Sequence, residues 1–419
     1  MKRLLTLTAC LVVLGLPARA ASPALEVFDA MSRTLGAHYA GTSPVNRDEL
    51  IQRYRGRLEE LCSSRKDACS AEVAYPLIDL ALIELGDPHT FLLRPSEVAH
   101  DDELYRGEFT WSLGWQLARV PELAGWVVTD LAEGGAAARA GIRRGDLVLE
   151  RDLSPEARDA LENGALPNQQ PIPLTVQVAR GGTARELTLR PRRARGPLMP
   201  SLRFVGSAAV LRIPTFSGSL DIAQNVHDLV RRAQLAGKTA LIIDLRDNPG
   251  GLDVQCSSAT TALIGRFSRT ERARRLTLEA HLEAGQYLKA RHPRTPGGAR
   301  VGHLTYAIGR PALWTGPLAV LVNAQSASCS EFLATEVQRA QRGPVVGERT
   351  AGLANSLAGV YDLPGGAALQ VTERLLSRSD GTTYPQTVWP DLEIADDLAE
   401  LARSGRDVAL ERALEAVRK

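Results

Sequence analysis

Ser328 is a candidate nucleophile, although on its local motif alone a helix cap is the favoured reading. It lies in NAQSASCSEFLATEVQRAQRGPVVGERTAGLANS (323–356), between an apolar run and a helix-forming run. At a strand-to-helix turn its hydroxyl would sit near helical N–H groups, where developing negative charge is favoured. Ser328 and Glu331, three positions on, also read as a capping box. A serine hydroxyl is a weak nucleophile until a neighbouring base takes its proton, and this stretch holds neither lysine nor histidine. Lysine occurs only at Lys2, Lys66, Lys238, Lys289 and Lys419. Lys238 precedes a buried strand, and Lys289 falls in what reads as a helix-rich insert. His89 lies in GDPHT, where Gly86-Asp87-Pro88 breaks a helix and leaves it on a loop, as a candidate base or as a histidine that caps or packs the loop. Its imidazole can accept a proton at neutral pH and return it. His38, His100, His227, His281, His292 and His303 occupy no motif.

Gly250 and Gly251 follow DLRDNP, where backbone N–H groups could approach a substrate carbonyl; a plain Asn-Pro-Gly-Gly turn is the alternative. Cys329 adjoins Ser328 and Cys256 follows the glycines, so these two are expected to approach and to brace the site as a disulfide. Cys62 and Cys69 are close enough in sequence to bridge a helix end to a loop. No cysteine spacing matches a zinc site, and neither a metal nor an organic cofactor is implied.

These residues need elements to position them, and the chain divides into three. Residues 1–20 carry Lys2 and Arg3, an apolar run and Ala18-Arg19-Ala20, the pattern of an export signal cut after Ala20, too short to span a membrane. A periplasmic or extracellular location is expected. Residues 21–104 read as helical, with Leu25, Phe28, Met31 and Leu35 and then Leu50, Tyr54, Leu58 and Leu61 at helical spacing. Residues 105–195 read as a small β domain: Leu174, Val176 and Val178 alternate, as do Leu187 and Leu189, across Gly181-Gly182. One short helix signal, Ser154-Pro155-Glu156, interrupts it. Residues 196–395 alternate apolar strands (TALIIDL, PLAVLV, PVVGE) with helices, and 396–419 add a terminal amphipathic helix. Such α/β sheets place sites at the carboxyl ends of strands, where the serines lie. Fifty basic against 48 acidic residues leave a net charge of +2 without a long basic run, so nucleic acid is not an expected partner.

The order helical cap, GGAAARAGIRRGDLVLE, DLRDNPGG, SASCSE and VGERTAG resembles the carboxyl-terminal processing (tail-specific) serine proteases of family S41 over nearly all of the mature chain. The resemblance implies an N-terminal helical cap, a PDZ-like β domain and a ClpP/crotonase-like α/β catalytic core, an α+β and α/β multidomain fold. It also implies Ser328 as nucleophile, Gly250 and Gly251 as the oxyanion pair, and Leu113, Gly114 and Trp115 of SLGWQL as a loop receiving a peptide carboxylate. Trp115 is bulky enough to fill that groove instead. The family's usual lysine base falls at Leu353, which cannot accept a proton, and its usual helix aspartate falls at Arg339. A second branch, resembling the tricorn proteases, takes its base from the segment before the PDZ domain, which again points to His89. The late acid of that branch is missing from residues 381–390, where Gln386 stands nearest its place. The expected activity is therefore an exported endopeptidase acting on unfolded or C-terminally recognised polypeptides. The rivals are an inactive member that binds peptides as adaptor or chaperone, and, since interphotoreceptor retinoid-binding modules resemble the same core, an apolar-ligand binder.

Overall fold

A computed structural model describes residues 22–63, 69–105, 109–132, 134–150, 153, 173–195, 199–218, 221–291 and 303–418. The export signal and the Ser154-Pro155-Glu156 helix signal lie outside the described residues. Helices α1 (Pro23–His38), α2 (Arg47–Ser63) and α3 (Tyr75–Leu85) come first. Ser22 caps α1 by accepting the Leu25 N–H, and Pro23 takes the first turn. The apolar stripes meet in one core of Val27, Phe28, Met31, Leu50, Leu58, Ile78 and Leu85. Cys62 and Cys69 are joined as a disulfide at the end of α2. Gly86, at φ 71°, ends α3 with a left-handed cap and turns the chain into the loop that carries His89. Strand β1 (Phe91–Leu93) and helix α4 (Pro95–Tyr105) follow.

The next part holds β2 (Phe109–Ser112), β3 (Trp115–Val120), β4 (Gly125–Leu131), a single turn α5 (Ala136–Arg139), β5 (Leu147–Leu149), β6 (Leu174–Arg180), β7 (Thr183–Leu189) and β8 (Arg192–Arg195). β3 to β7 form a five-stranded sheet in sequence order, while β2 and β8 pair only with each other. The alternating residues Val176 and Val178 are buried beside Trp126, Val128 and Val148. Gly181 and Gly182, both at positive φ, make the two-residue hairpin turn between β6 and β7.

The third part holds β9 (Ser201–Val205), β10 (Ala208–Arg212), α6 (Ile222–Leu235), β11 (Ala240–Asp244), α7 (Asp253–Ile264), β12 (Arg266–Arg272), β13 (Thr277–Glu283), β14 (Gln286–Arg291), β15 (His303–Ala307), β16 (Leu318–Val322), α8 (Cys329–Arg339), β17 (Val345–Gly347), β18 (Ser356–Asp362), β19 (Ala368–Arg378), β20 (Leu392–Glu393), α9 (Leu398–Ser404) and α10 (Val408–Ala416). A six-stranded sheet runs β20-β17-β16-β11-β10-β9, parallel except for β9. Its central strands are apolar throughout because both faces are covered. Leu241, Ile243, Val320 and Val322 pack under α6, α7 and α8, whereas Ile242, Ala319 and Leu321 pack on α10.

A second sheet runs β1-β19-β12-β13-β14-β15, with β18 also on β19. It corrects the reading of a helix-rich insert: Lys289 lies on β14, an antiparallel strand. The period-2 alternation of Leu278, Ala280 and Leu282 on β13 was the signal for it. Through β1 the same sheet ties the N-terminal helices to the core, since Phe91 pairs with Gln370 and Leu93 with Ala368.

Candidate active site

The carboxyl end of β16 leads through Asn323–Ser328 into α8, and this turn is held from below. Ser326 Oγ donates to the Leu245 carbonyl (2.9 Å), Ala327 N–H donates to the Asn248 carbonyl (3.0 Å), and Ser330 Oγ donates to the same carbonyl (3.0 Å). Ser328 is thereby fixed at φ 51°, ψ −110°, a conformation that costs a non-glycine residue about 1–3 kcal/mol. Such strain persists only where the surroundings impose it.

Gly250 explains how the turn can sit so close to the preceding loop. At φ 101°, a Cβ there would lie 2.8 Å from Ser328 Cβ and 3.0 Å from the Ala327 carbonyl oxygen. At Gly251 a Cβ would fall 2.2 Å from the Phe216 carbonyl carbon. Both positions therefore exclude a side chain. Of the expected oxyanion pair, Gly250 donates its N–H to Asn248 Oδ1 (2.8 Å) inside the loop. Gly251 is exposed beside the serine turn. Cys256 and Cys329 are joined as a disulfide linking α7 to α8 one residue from Ser328.

Glu331 contributes more than a cap. Its buried carboxylate accepts Ser328 N–H (2.8 Å), Thr350 Oγ–H (2.5 Å), Gly352 N–H (2.7 Å) and Leu353 N–H (2.7 Å). One carboxylate thus fixes both the serine turn and the chain at Gly352 and Leu353, which are held through their backbone N–H groups. Burial pushes this carboxyl up from its ordinary value, while the four hydrogen bonds pull it back. The capping-box spacing marked Glu331, but not its hold on Thr350, Gly352 and Leu353.

His89 reaches the site from the loop after α3. Its ring is 6% exposed, with Nε2 3.3 Å from Ser328 Oγ and Nδ1 2.9 Å from Ser356 Oγ. Asp87 Oδ1 accepts the His89 N–H (3.0 Å) and Thr372 Oγ–H (3.1 Å), and Gln370 Nε2 donates to the His89 carbonyl (3.3 Å), so β19 pins the loop. Burial lowers the imidazole pKa below its usual value, and the charge of Asp87 opposes this only in part. The ring is then neutral at neutral pH, the state a general base requires.

Gln386 does not orient this ring. It is exposed, and its carbonyl accepts the Ala354 N–H. The group at Nδ1 is Ser356, the first residue of β18, which sequence reasoning missed because a lone serine at a strand start carries no signal. The two described lysines stand elsewhere: Lys238 Nζ donates to the Gly206 carbonyl, and Lys289 pairs with Asp253 and Glu271, each at 3.2 Å. Arg339, at the far end of α8, donates to the Thr383 carbonyl. Buried His227 bonds to the backbone of Ser258 and Ala312 as a packing residue.

Leu113, Gly114 and Trp115 are not brought to Ser328. They lie where the chain enters β3, with Leu113 buried, Gly114 at φ 70° and its N–H donated to Ser112 Oγ (2.9 Å). Their sheet meets the core through Arg212, which bonds to Asp130 (3.0 Å) and Gln116 (3.2 Å). Beside it, buried Arg246 is enclosed by Asp244 (2.7 Å), Asp396 (2.8 Å) and Asp407 (2.8 Å). Asp396 also accepts from Asn323, where the serine turn begins. Among the described residues no group of three or more His, Cys, Asp or Glu side chains is placed to hold a metal ion, and no helix is long and apolar enough to cross a membrane.

Residues 207–394 match peptidase family S41. The carboxyl-terminal-processing protease of Picosynechococcus sp. is 29% identical over 310 residues, covering 71% of this chain and 67% of its own length. The chloroplastic carboxyl-terminal-processing peptidase 2 of Arabidopsis thaliana is 30% identical over 334 residues, covering 75% of this chain and 59% of its own length. Among solved structures, the photosystem II D1 C-terminal processing protease superposes with a TM-score of 0.50 at 20% identity, over 93% of this chain and 97% of that one. The mixed helix-and-sheet fold is thus shared with these proteases.

Proposed function

The chain belongs to peptidase family S41, and on that premise we propose that it is a serine endopeptidase in which His89 replaces the usual lysine. The observation that carries the reading is the 3.3 Å approach of His89 Nε2 to Ser328 Oγ, within reach of the proton transfer the reaction needs. Ser328 Oγ attacks the scissile carbonyl carbon as its proton passes to Nε2. The tetrahedral oxyanion is met by the N–H of Gly251. Collapse breaks the C–N bond, Nε2 returns the proton to the leaving amine, and water repeats the sequence on the acyl-serine. Unfolded polypeptides, selected in part by a free carboxyl end at Leu113, Gly114 and Trp115 of a PDZ-like domain, are the proposed substrates. Two disulfides support an exported, oxidising setting.

A second reading, a peptide-binding member without catalysis, is favoured by one observation: Gly250 N–H and Ser328 N–H are both donated internally, to Asn248 and Glu331. Cleavage of casein from pH 5 to 9 by residues 21–419, beside Ser328→Ala and His89→Ala, separates the two. Cutting by wild type alone supports the endopeptidase. Three equally inert proteins that still bind a peptide with a free carboxyl end support the binder.

A further inference from the structure

We propose that Ser356 is the positioning residue of this site, a neutral hydroxyl in the place of an orienting carboxylate, and that the direction of its O–H sets the tautomer of His89. The inference rests on His89 being the base, and it assigns a role to a residue that neither the motifs nor the family match singles out. Ser356 Oγ lies 2.9 Å from His89 Nδ1, and both side chains are 6% exposed. Its backbone is fixed by strand pairing to Leu375 and by the adjacent Leu376 N–H donating to the Asn355 carbonyl (2.8 Å). The chain leading to it is held at Gly352 and Leu353 by Glu331, which also binds Ser328 N–H. One carboxylate therefore sets the spacing of both serines that flank the ring.

A hydroxyl can donate or accept, whereas a carboxylate only accepts. In the productive arrangement His89 Nδ1–H donates to Ser356 Oγ, and the lone pair of Nε2 faces the Ser328 hydroxyl. In the other, Ser356 O–H donates to Nδ1, and Nε2–H points at Ser328 Oγ, unable to take its proton. Serine permits both; aspartate would allow only the first. During proton transfer Nδ1–H keeps its bond to Ser356, and no proton moves onto Ser356.

The charges around the ring leave this hydroxyl as its immediate partner. From its own loop comes Asp87, already accepting from His89 N–H and Thr372. From α8 comes Glu331, whose oxygens hold four donors. β19 presents the neutral Gln370 and Thr372, while Glu373 and Arg374 bond to Tyr361 and Glu271 respectively.

The test is a pH titration of the His89 ring nitrogens by ¹⁵N NMR on residues 21–419, comparing wild type, Ser356→Ala, Ser356→Asp and Ser356→Thr, with casein kinetics alongside. Ser356→Asp should raise the His89 pKa by about one unit or more and hold the proton on Nδ1, because a carboxylate at hydrogen-bond distance favours imidazolium. Ser356→Ala should shift the tautomer balance and lower kcat by roughly 10–100-fold with KM kept, and Ser356→Thr should restore both. The acid limb of the rate profile should move upward in Ser356→Asp. The assignment fails if the ring shifts and pKa of His89 are the same in wild type, Ser356→Ala and Ser356→Asp. It fails equally if Ser356→Ala loses activity and Ser356→Asp folds but moves neither pKa nor profile, since Ser356 is then structural. The ring shifts need no turnover, so an inert wild type would remove the endopeptidase reading and leave Ser356 to be judged by NMR.

Discussion

Two of the buried polar clusters in this molecule are built in opposite ways. The side chains hydrogen-bonded to the His89 ring are hydroxyls, Ser328 on one nitrogen and Ser356 on the other. Around Arg246 they are carboxylates, with Asp244, Asp396 and Asp407 enclosing one guanidinium. Permanent buried charges must be compensated where they stand, because removing either sign strands the other in a low-dielectric interior. In the proposed mechanism His89 is neutral at rest and charged only in passing, which needs the reverse, surroundings that do not hold it in the charged form. Burial lowers the His89 pKa, whereas near Arg246 burial works against the Asp407 charge and the guanidinium overcomes it, bringing that carboxyl to about 2.

The comparison can be broken most directly at the serine. Ser328→Ala and His89→Ala should each cost at least about 10³-fold in casein cleavage while leaving the denaturation midpoint near wild type; a large loss of stability in either would mean that the hydroxyl-lined pocket is structural after all. Arg246→Ala should do the reverse. Leaving Asp244, Asp396 and Asp407 with only the flanking Arg144 and Arg212 for compensation is expected to destabilise the fold by about 3 kcal/mol in urea titrations, and an unchanged midpoint would show that the ionic cluster is not coupled to folding.

Removing the Cys256–Cys329 disulfide by paired serine substitution should cost about 2–4 kcal/mol, read in the same titrations. If both thiols prove alkylatable in native, oxidised protein, this bridge does not form. The smallest effects concern pH. His89 and His227 both have pKa values lowered by burial, so between those values and 6.5 the unfolded chain binds more protons than the folded one. Stability should therefore fall as pH drops through that window, with a slope of at most about 1.4 kcal/mol per pH step of one for each histidine. A second fall should come below 3.8, where Asp407 is ionised in the folded state and protonates in the unfolded one. Melting temperatures measured from pH 3 to 8 should show two acid steps, with His89→Gln weakening only the first.

The two clusters also differ in how far sequence could reach them. Ser328 is marked by its place after an apolar run and by Glu331 three residues on, both local features. The strands and helices that carry it are legible because TALIIDL and PLAVLV are apolar on both faces. His89 is visible only once GDPHT is set against a family pattern, since its partner is far away in the chain. Ser356 is not legible at all: what matters about it is a 2.9 Å contact to a residue on another element, made through pairing with β19. Gly250 reads in the sequence as a hydrogen-bond donor, yet its N–H goes to Asn248, and its lack of a Cβ is what the turn requires. The Arg246 cluster draws on three separate segments, so no local window contains it.

The pairing of β2 with β8 has a practical consequence. Ser112 faces Arg192 across the ladder, so the chain leaves for the five-stranded sheet and returns from it at one point. The described residues between are held both by this two-stranded stem and by the bonds of Gln116 and Asp130 to Arg212 and of Arg144 to Asp407. Replacing residues 113–191 by a short Asn-Gly turn would close the stem as an ordinary hairpin. The shortened chain would keep Ser328, His89, Ser356 and Glu331 while losing the Asp130 and Gln116 partners of Arg212, so the proposed peptide selection and the proposed cleavage could be assayed in separate molecules.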